Sequence, residues 1–362
     1  LKILARLNHL YHLASLGPVV REFIRRSHDV EFSCENESES ILGIPVSRKH
    51  RAEKELSDNG FTIAQSTHGY DIVLTGDILP KPEIYAPAIL IFINHGTGIK
   101  SVMYRLLKQW PTVNYHIMVE GRYRKERIIE NNAIGNSRIH IVGYPKLDPI
   151  LRSEISSEDI IDRYILDPDK PTVLFAPSHK PSAIDVVGDS ICEATIGTNL
   201  LVKLHPFSWG GKYAPHRHHR LFESAVKKYP HVKLVNKNES DILPFISAAD
   251  VLITGVSSTM FEFLAAGKFG ALIKMPNRER RDGTMTMDTD PSILFESAWP
   301  IANGIKDLHD AVLSALDPDD EMIENAAKLR DYLFSNLDGR ASERIVDIGE
   351  NLFKEGGHCY AP

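Results

Sequence analysis

Two α/β domains, each built on a parallel sheet, are what this sequence predicts, and three observations carry the prediction. Apolar runs of strand length recur, such as Ala88–Ile93 (AILIFI) and Val251–Thr254 (VLIT). A run without polar alternation suits a strand buried on both faces. These runs end in polar loops that open amphipathic segments, which is the strand–loop–helix unit of a parallel sheet. Between residues 151 and 170 the chain turns charged and closes with Asp167-Pro168-Asp169-Lys170-Pro171, a turn-rich linker dividing two such series. A length of 362 residues also favours two domains over one.

In the first series, residues 1–7 (LKILARL) read as a strand, and the loop Asn8–Ser15 holds His9 and His12. Leu16, Val19, Val20, Phe23 and Ile24 then fall at helical spacing, with arginines on the opposite face. His28–Phe32 begins a second strand, and residues 49–59 form a charged helix stopped by Gly60. Tyr70–Thr75, Ala88–Ile93, Tyr115–Val119 and Arg138–Val142 are further strands, with a helix over Glu120–Glu130. The second series places strands at Thr172–Phe175, Asn199–Leu204, His231–Val235, Val251–Thr254 and Gly270–Ile273. Asp282–Asp290 reads as a polar loop, followed by helices over 307–317 and 321–356. The expected division is 1–160, 161–335, and a helix over 336–362 that returns across the first domain.

Composition narrows the function. A net charge of −6 creates no general attraction to nucleic acid. Cys34, Cys192 and Cys359 are far apart and odd in number, which gives neither a metal spacing nor a disulfide frame and fits a reducing cytoplasm. No apolar run nears the roughly 18–20 residues that span a bilayer.

Ligands on open parallel sheets bind at the carboxyl ends of the strands, and the chemically useful residues gather there. In Asp241–Lys268 the strand VLIT runs through Gly255, Ser257 and Ser258 into a helix starting near Thr259. Such a turn aims free backbone N–H groups and a positive dipole end at one point, a phosphate site. Glu262, four residues after Ser258 on the same helix face, could accept hydrogen bonds from ribose. The alternative is an ordinary turn with a Ser cap. His95 follows the strand AILIFI within Gly96-Thr97-Gly98 and suits a general base. Lys100 could meet a phosphate. His205, before Pro206 and beside Lys203, could bind a diphosphate or assist a leaving group. Ser178, His179 and Lys180 form a polar cluster at another strand end. His216, His218 and His219 have the composition of a metal site without its spacing. Arg278, Arg280 and Arg281 could contact a charged acceptor.

Five segments in order carry a resemblance: NHGTGIK (94–100), GYPKLDP (143–149), FAPSHK (175–180), VKLHP (202–206) and DILPFISAADVLITGVSSTMFEF (241–263). Together they resemble the CDP-glycerol glycerophosphotransferase family of teichoic-acid synthesis. The first 35 residues resemble the opening of GT-B glycosyltransferases and nucleotide-sugar 2-epimerases. The resemblance implies a GT-B fold of two Rossmann-like domains facing a cleft, the second holding the donor. It implies metal-independent transfer without a cofactor, from a nucleotide-diphosphate donor such as CDP-glycerol to a lipid-linked or polymeric saccharide acceptor. His95 would then be the base, His205 would sit near the donor diphosphate, Ser257 and Ser258 would contact it, and Glu262 would meet the ribose. The expected place of work is the cytoplasm, in peripheral contact with the inner face of the membrane. The chain departs from the family pattern with Ser178-His179-Lys180 in place of an aromatic and Arg. Gly255-Val256 stands where the family commonly has Asp-Tyr. A nucleotide-sugar transferase, a 2-epimerase of the same fold and a non-catalytic nucleotide-binding protein remain open alternatives.

Overall fold

The computed structural model describes residues 1–34, 38–41, 44–47, 49–94, 101–179, 181–209, 218–239, 241–276, 279, 283, 285 and 287–356. The chain divides into two compact units. The first gathers the chain up to residue 94, Ser101–Arg152 and the segment from Tyr332 onward; the second is built on Ser153–Asp331.

The first unit carries β1 (Lys2–Leu7), β2 (Asp29–Cys34), β3 (Ser38–Ile41), β4 (Ile44–Ser47), β5 (Thr62–Ile63), β6 (Ile72–Thr75), β7 (Ile89–Ile93), β8 (Tyr115–Val119) and β9 (Arg138–Ile141). Seven of them form one sheet in the order β5-β2-β1-β6-β7-β8-β9, every pair parallel. β3 and β4 pair separately as an antiparallel hairpin. Alternation along β1 feeds two cores: Ile3, Ala5 and Leu7 enter one face, and Leu4 the other. On the first face lie Leu16, Val19, Val20 and Phe23 of the helix Leu13–Arg25, as their spacing predicts, while Ile24 stays exposed.

The last helix joins the same face. The sequence predicts one helix over 321–356; the structure has two, Asp320–Leu333 and Ala341–Lys354. Asn336 and Gly339 adopt positive φ between them, which no α-helix accommodates. Ile345, Val346 and Leu352 of the second helix are buried against the core of the first unit. Each such side chain contributes roughly 1.5–3 kcal/mol.

The second unit carries β10 (Thr172–Phe175), β11 (Asn199–Val202), β12 (Val232–Leu234), β13 (Val251–Thr254), β14 (Phe269–Ile273) and β15 (Ile301–Ala302). The order is β12-β11-β10-β13-β14-β15, all parallel. All residues of β10, β11 and β13 are buried, as their unbroken apolar runs require. The order reverses direction between β10 and β13, so the loops after these two strands diverge and leave a crevice at their carboxyl ends. The sheets of both units are therefore of the doubly wound, dinucleotide-binding type. Among the described residues, no helix is long and apolar enough to cross a membrane.

Candidate functional site

Three adjacent strands of the second unit, β11, β10 and β13, bring their carboxyl ends together at this crevice. The ends of β10 and β13 are tied: Thr254 Oγ1 donates to Ala176 O at 2.7 Å, and the Ala176 amide donates to Ile253 O at 3.1 Å. Three rings meet where β10 and β11 finish. The His179 and His205 ring centroids are 4.4 Å apart, and Phe207 lies 5.1 Å from the first and 5.2 Å from the second. Pro206 directs the chain into a short helical turn in which the Phe207 amide donates to Nδ1 of His205 at 3.2 Å. Nδ1 is thus an acceptor, and the neutral ring carries its proton on Nε2. Ser178, buried, donates its hydroxyl to Pro181 O and closes the β10 loop.

At the end of β13, Ser257 is extended and caps the helix Ser258–Ala265, its hydroxyl accepting from the Thr259 amide at 3.3 Å and donating to Thr259 Oγ1 at 3.1 Å. The Ser258 hydroxyl has no hydrogen-bond partner among the described residues and is partly exposed. Helix N–H groups, this hydroxyl and the imidazoles are donors suited to a phosphate. Gly255 is required by close approach: a Cβ there would lie 2.7 Å from Met275 Cγ and 3.4 Å from Ala183 Cβ.

Two residues read as ligand contacts are placed differently. Lys203 extends its ammonium to the Glu239 carbonyl at 2.5 Å and over the Phe245 ring at 5.1 Å, stapling β11 to the segment before the next helix. Glu262 exposes none of its surface, so ribose hydroxyls reach it only if its neighbours withdraw. His95, Gly96, Thr97, Lys100, Lys180, His216, Arg278, Arg280 and Arg281 lie outside the described residues. His218 pairs with Asp185 at 3.1 Å and His219 stacks on Trp209 at 5.4 Å. Among the described residues, no three His, Cys, Asp or Glu side chains come together as a metal site. Phe207 was not singled out by sequence; its place two residues after His205 in a Pro-led turn is the signal that could have found it.

A doubly wound sheet with imidazoles and a capped Ser-Ser turn at its switch point is an arrangement suited to a phosphate-bearing ligand. The sequence profile of the CDP-glycerol:poly(glycerophosphate) glycerophosphotransferases matches residues 91–350. The chain belongs to that family. No curated protein matches it in sequence. Among solved structures, the wall teichoic acid polymerase TagF shares the fold with a TM-score of 0.64 at 15% identity, covering 98% of this chain and 89% of that one. S. aureus MnaA, in a structure with UDP, gives 0.58 at 12% identity over 100% and 98%. A glycosyltransferase from Rickettsia africae gives 0.55 at 14% identity over 98% of both chains.

Proposed function

We propose that the protein transfers a glycerophosphate, or a related polyol phosphate, from a nucleotide-diphosphate donor such as CDP-glycerol to a hydroxyl of a growing cell-surface polymer of the teichoic-acid type. The observation that carries this reading is the family match combined with the His179–His205–Phe207 cluster beside the Ser257-Ser258 turn. In the proposed step the acceptor oxygen attacks the phosphorus that bears the glycerol. The bond from that phosphorus to the CMP oxygen breaks, and CMP leaves with the electron pair. His95 takes the acceptor proton. His205, the Ser258 hydroxyl and the helix N-terminus stabilise the charge growing on the leaving phosphate, an electrostatic contribution that is commonly the largest in such sites. Lys203 acts by fixing the end of β11. Lys100, Gly96 and Thr97 belong to the loop assigned to the acceptor side, and Glu262 to the ribose once uncovered. The step uses no metal, so EDTA should leave turnover unchanged. The acceptor would lie at the inner face of the membrane, which the protein would meet peripherally.

The test is a thermal-shift screen of CDP-glycerol against CMP-, UDP- and GDP-sugars, followed by CMP release with and without acceptor. The right donor at ~100 Kd should stabilise the fold by about 2.7 kcal/mol. His95→Ala should keep that shift and lose turnover. Donor turnover without any acceptor would point to the 2-epimerase, and full activity in both His95→Ala and His205→Ala would sink the mechanism.

A further inference from the structure

Among the described residues, β12 is an edge strand of the second sheet, paired with β11 alone. Its bonds fix which way each backbone group points. The Leu200 amide donates to His231 O at 2.9 Å, and the Val235 amide donates to Val202 O at 2.9 Å. His231 and Val235 therefore turn toward β11, Lys233 between them does the same, and Val232 and Leu234 turn outward. The two ends of this outer row are closed: the Val232 amide donates to Tyr229 O at 3.1 Å, and the Asn236 amide donates to the Tyr164 hydroxyl at 3.2 Å. Its middle is open. The Val232 carbonyl and both the amide and the carbonyl of Leu234, a partly exposed residue, have no hydrogen-bond partner among the described residues. Leu234 also lines an open, mainly apolar groove of about 520 Å³, together with Lys233, with Tyr164, and with Glu223, Val226 and Lys227 of the helix His218–Lys228. Lys227 and Lys233 make no ion pair among the described residues, and Glu223 is the single acid in the lining.

We propose that this edge takes up an extended segment of a partner protein as an added strand, with apolar side chains filling the groove and acidic ones meeting Lys227 and Lys233. The added strand satisfies the three open backbone groups with its own amides and carbonyls, which supplies affinity, while the groove and the lysines supply selectivity. Charge decides the kind of partner. Two copies of this chain joined edge to edge would set the same lysines against each other, and lysine at an edge is a device that keeps like strands apart. An acidic segment meets them as opposite charges instead. The site lies two strands away from β10 and its crevice, and neither it nor its test depends on the transferase reading.

The probe is a labelled, amidated octapeptide alternating glutamate with valine, titrated into the full chain by fluorescence anisotropy. Two twins accompany it, one N-methylated on alternate amides and one with lysine in place of glutamate. The glutamate peptide should bind, and each twin should bind about ten-fold or more weakly. Hydrogen exchange at the Leu234 amide should slow when the peptide is present. Lys227→Glu, a surface change on the helix, and Leu234→Pro, which removes the outward amide at a strand edge that tolerates proline, should each weaken binding about ten-fold. Circular dichroism checks that both variants fold, and Lys227→Glu decides the matter alone if Leu234→Pro does not. No binding at about 1 mM peptide, or equal binding by the N-methylated twin, overturns the proposal. So does sedimentation of the parent as a dimer that Lys227→Glu changes, since the edge would then belong to a second copy.

Discussion

The backbone amide of Phe207 donates to Nδ1 of His205, and the ring is thereby oriented with Nε2 as its donor. In the proposed transfer, Nε2 is the donor offered to the leaving phosphate. His205→Ala should lower kcat by about 10²–10³ with donor binding largely kept. His205→Gln, whose amide nitrogen reaches the Nε2 position, should retain more activity than His205→Asn. Steady-state CMP release compares them, and equal rates for the two amides would show that Nε2 is not the donor.

Gly255 and Met275 share one space at the end of β13. Gly255→Ala should destabilise the protein by about 1–3 kcal/mol through overpacking. Adding Met275→Ala should recover part of the loss if the collision is the cause. Urea midpoints of the two variants measure both effects.

On β8 and β9 of the first unit, His116 Nδ1 and His140 Nε2 lie 3.1 Å apart. Burial, with His140 and Arg138 adding to it, pushes the His116 pKa down to about 4; burial lowers His140 as well. Below about pH 6.5 the unfolded chain takes up a proton that the folded ring refuses, so stability falls as the pH drops toward about 4. For His116 the slope approaches about 1.4 kcal/mol per pH unit within that window. His116→Gln should flatten this window by about one proton's worth relative to the parent. Urea unfolding at pH 7, 6 and 5 checks it, and an unchanged slope would rule the pair out.

Asp148 caps the last helix from a distant part of the chain. Its carboxylate accepts from the amides of Ala341 at 3.1 Å and Ser342 at 2.8 Å, where Arg340 supplies no side-chain cap. Asp148→Ala should cost about 2 kcal/mol, and Asp148→Asn, with one acceptor oxygen left, should cost less. Denaturant unfolding gives both values.

Strands β10, β11 and β13 were legible because burial on both faces leaves an unbroken apolar run. β5 and β15, two residues each, and the β3–β4 hairpin leave no such trace, and sequence reading missed them. The turn at Ser257 was legible for a local reason, its cap chemistry. The contact of His179 with His205 was not, since it depends on β10 and β11 being neighbours in the sheet. Lys203 was grouped with His205 by nearness in sequence, yet its ammonium goes to the Glu239 carbonyl, a contact set by the fold and not by spacing. For Glu262, helical spacing gave the distance from Ser258 but not the depth at which that face is buried.

Because residues from Tyr332 onward complete the first unit, the main stretch of the second, Ser153–Asp331, is inserted within it. Order of synthesis then matters. The second unit can fold once its last strand and the helix Ile305–Leu316 that packs on it have left the ribosome. The first unit must wait for Ile345 and Val346 to complete the core face of Ile3 and Ile91, which Leu16, Val19, Val20 and Phe23 cover only in part. A chaperone that shields apolar sheet surface during translation would find its longest-lived client in the half of the protein made first.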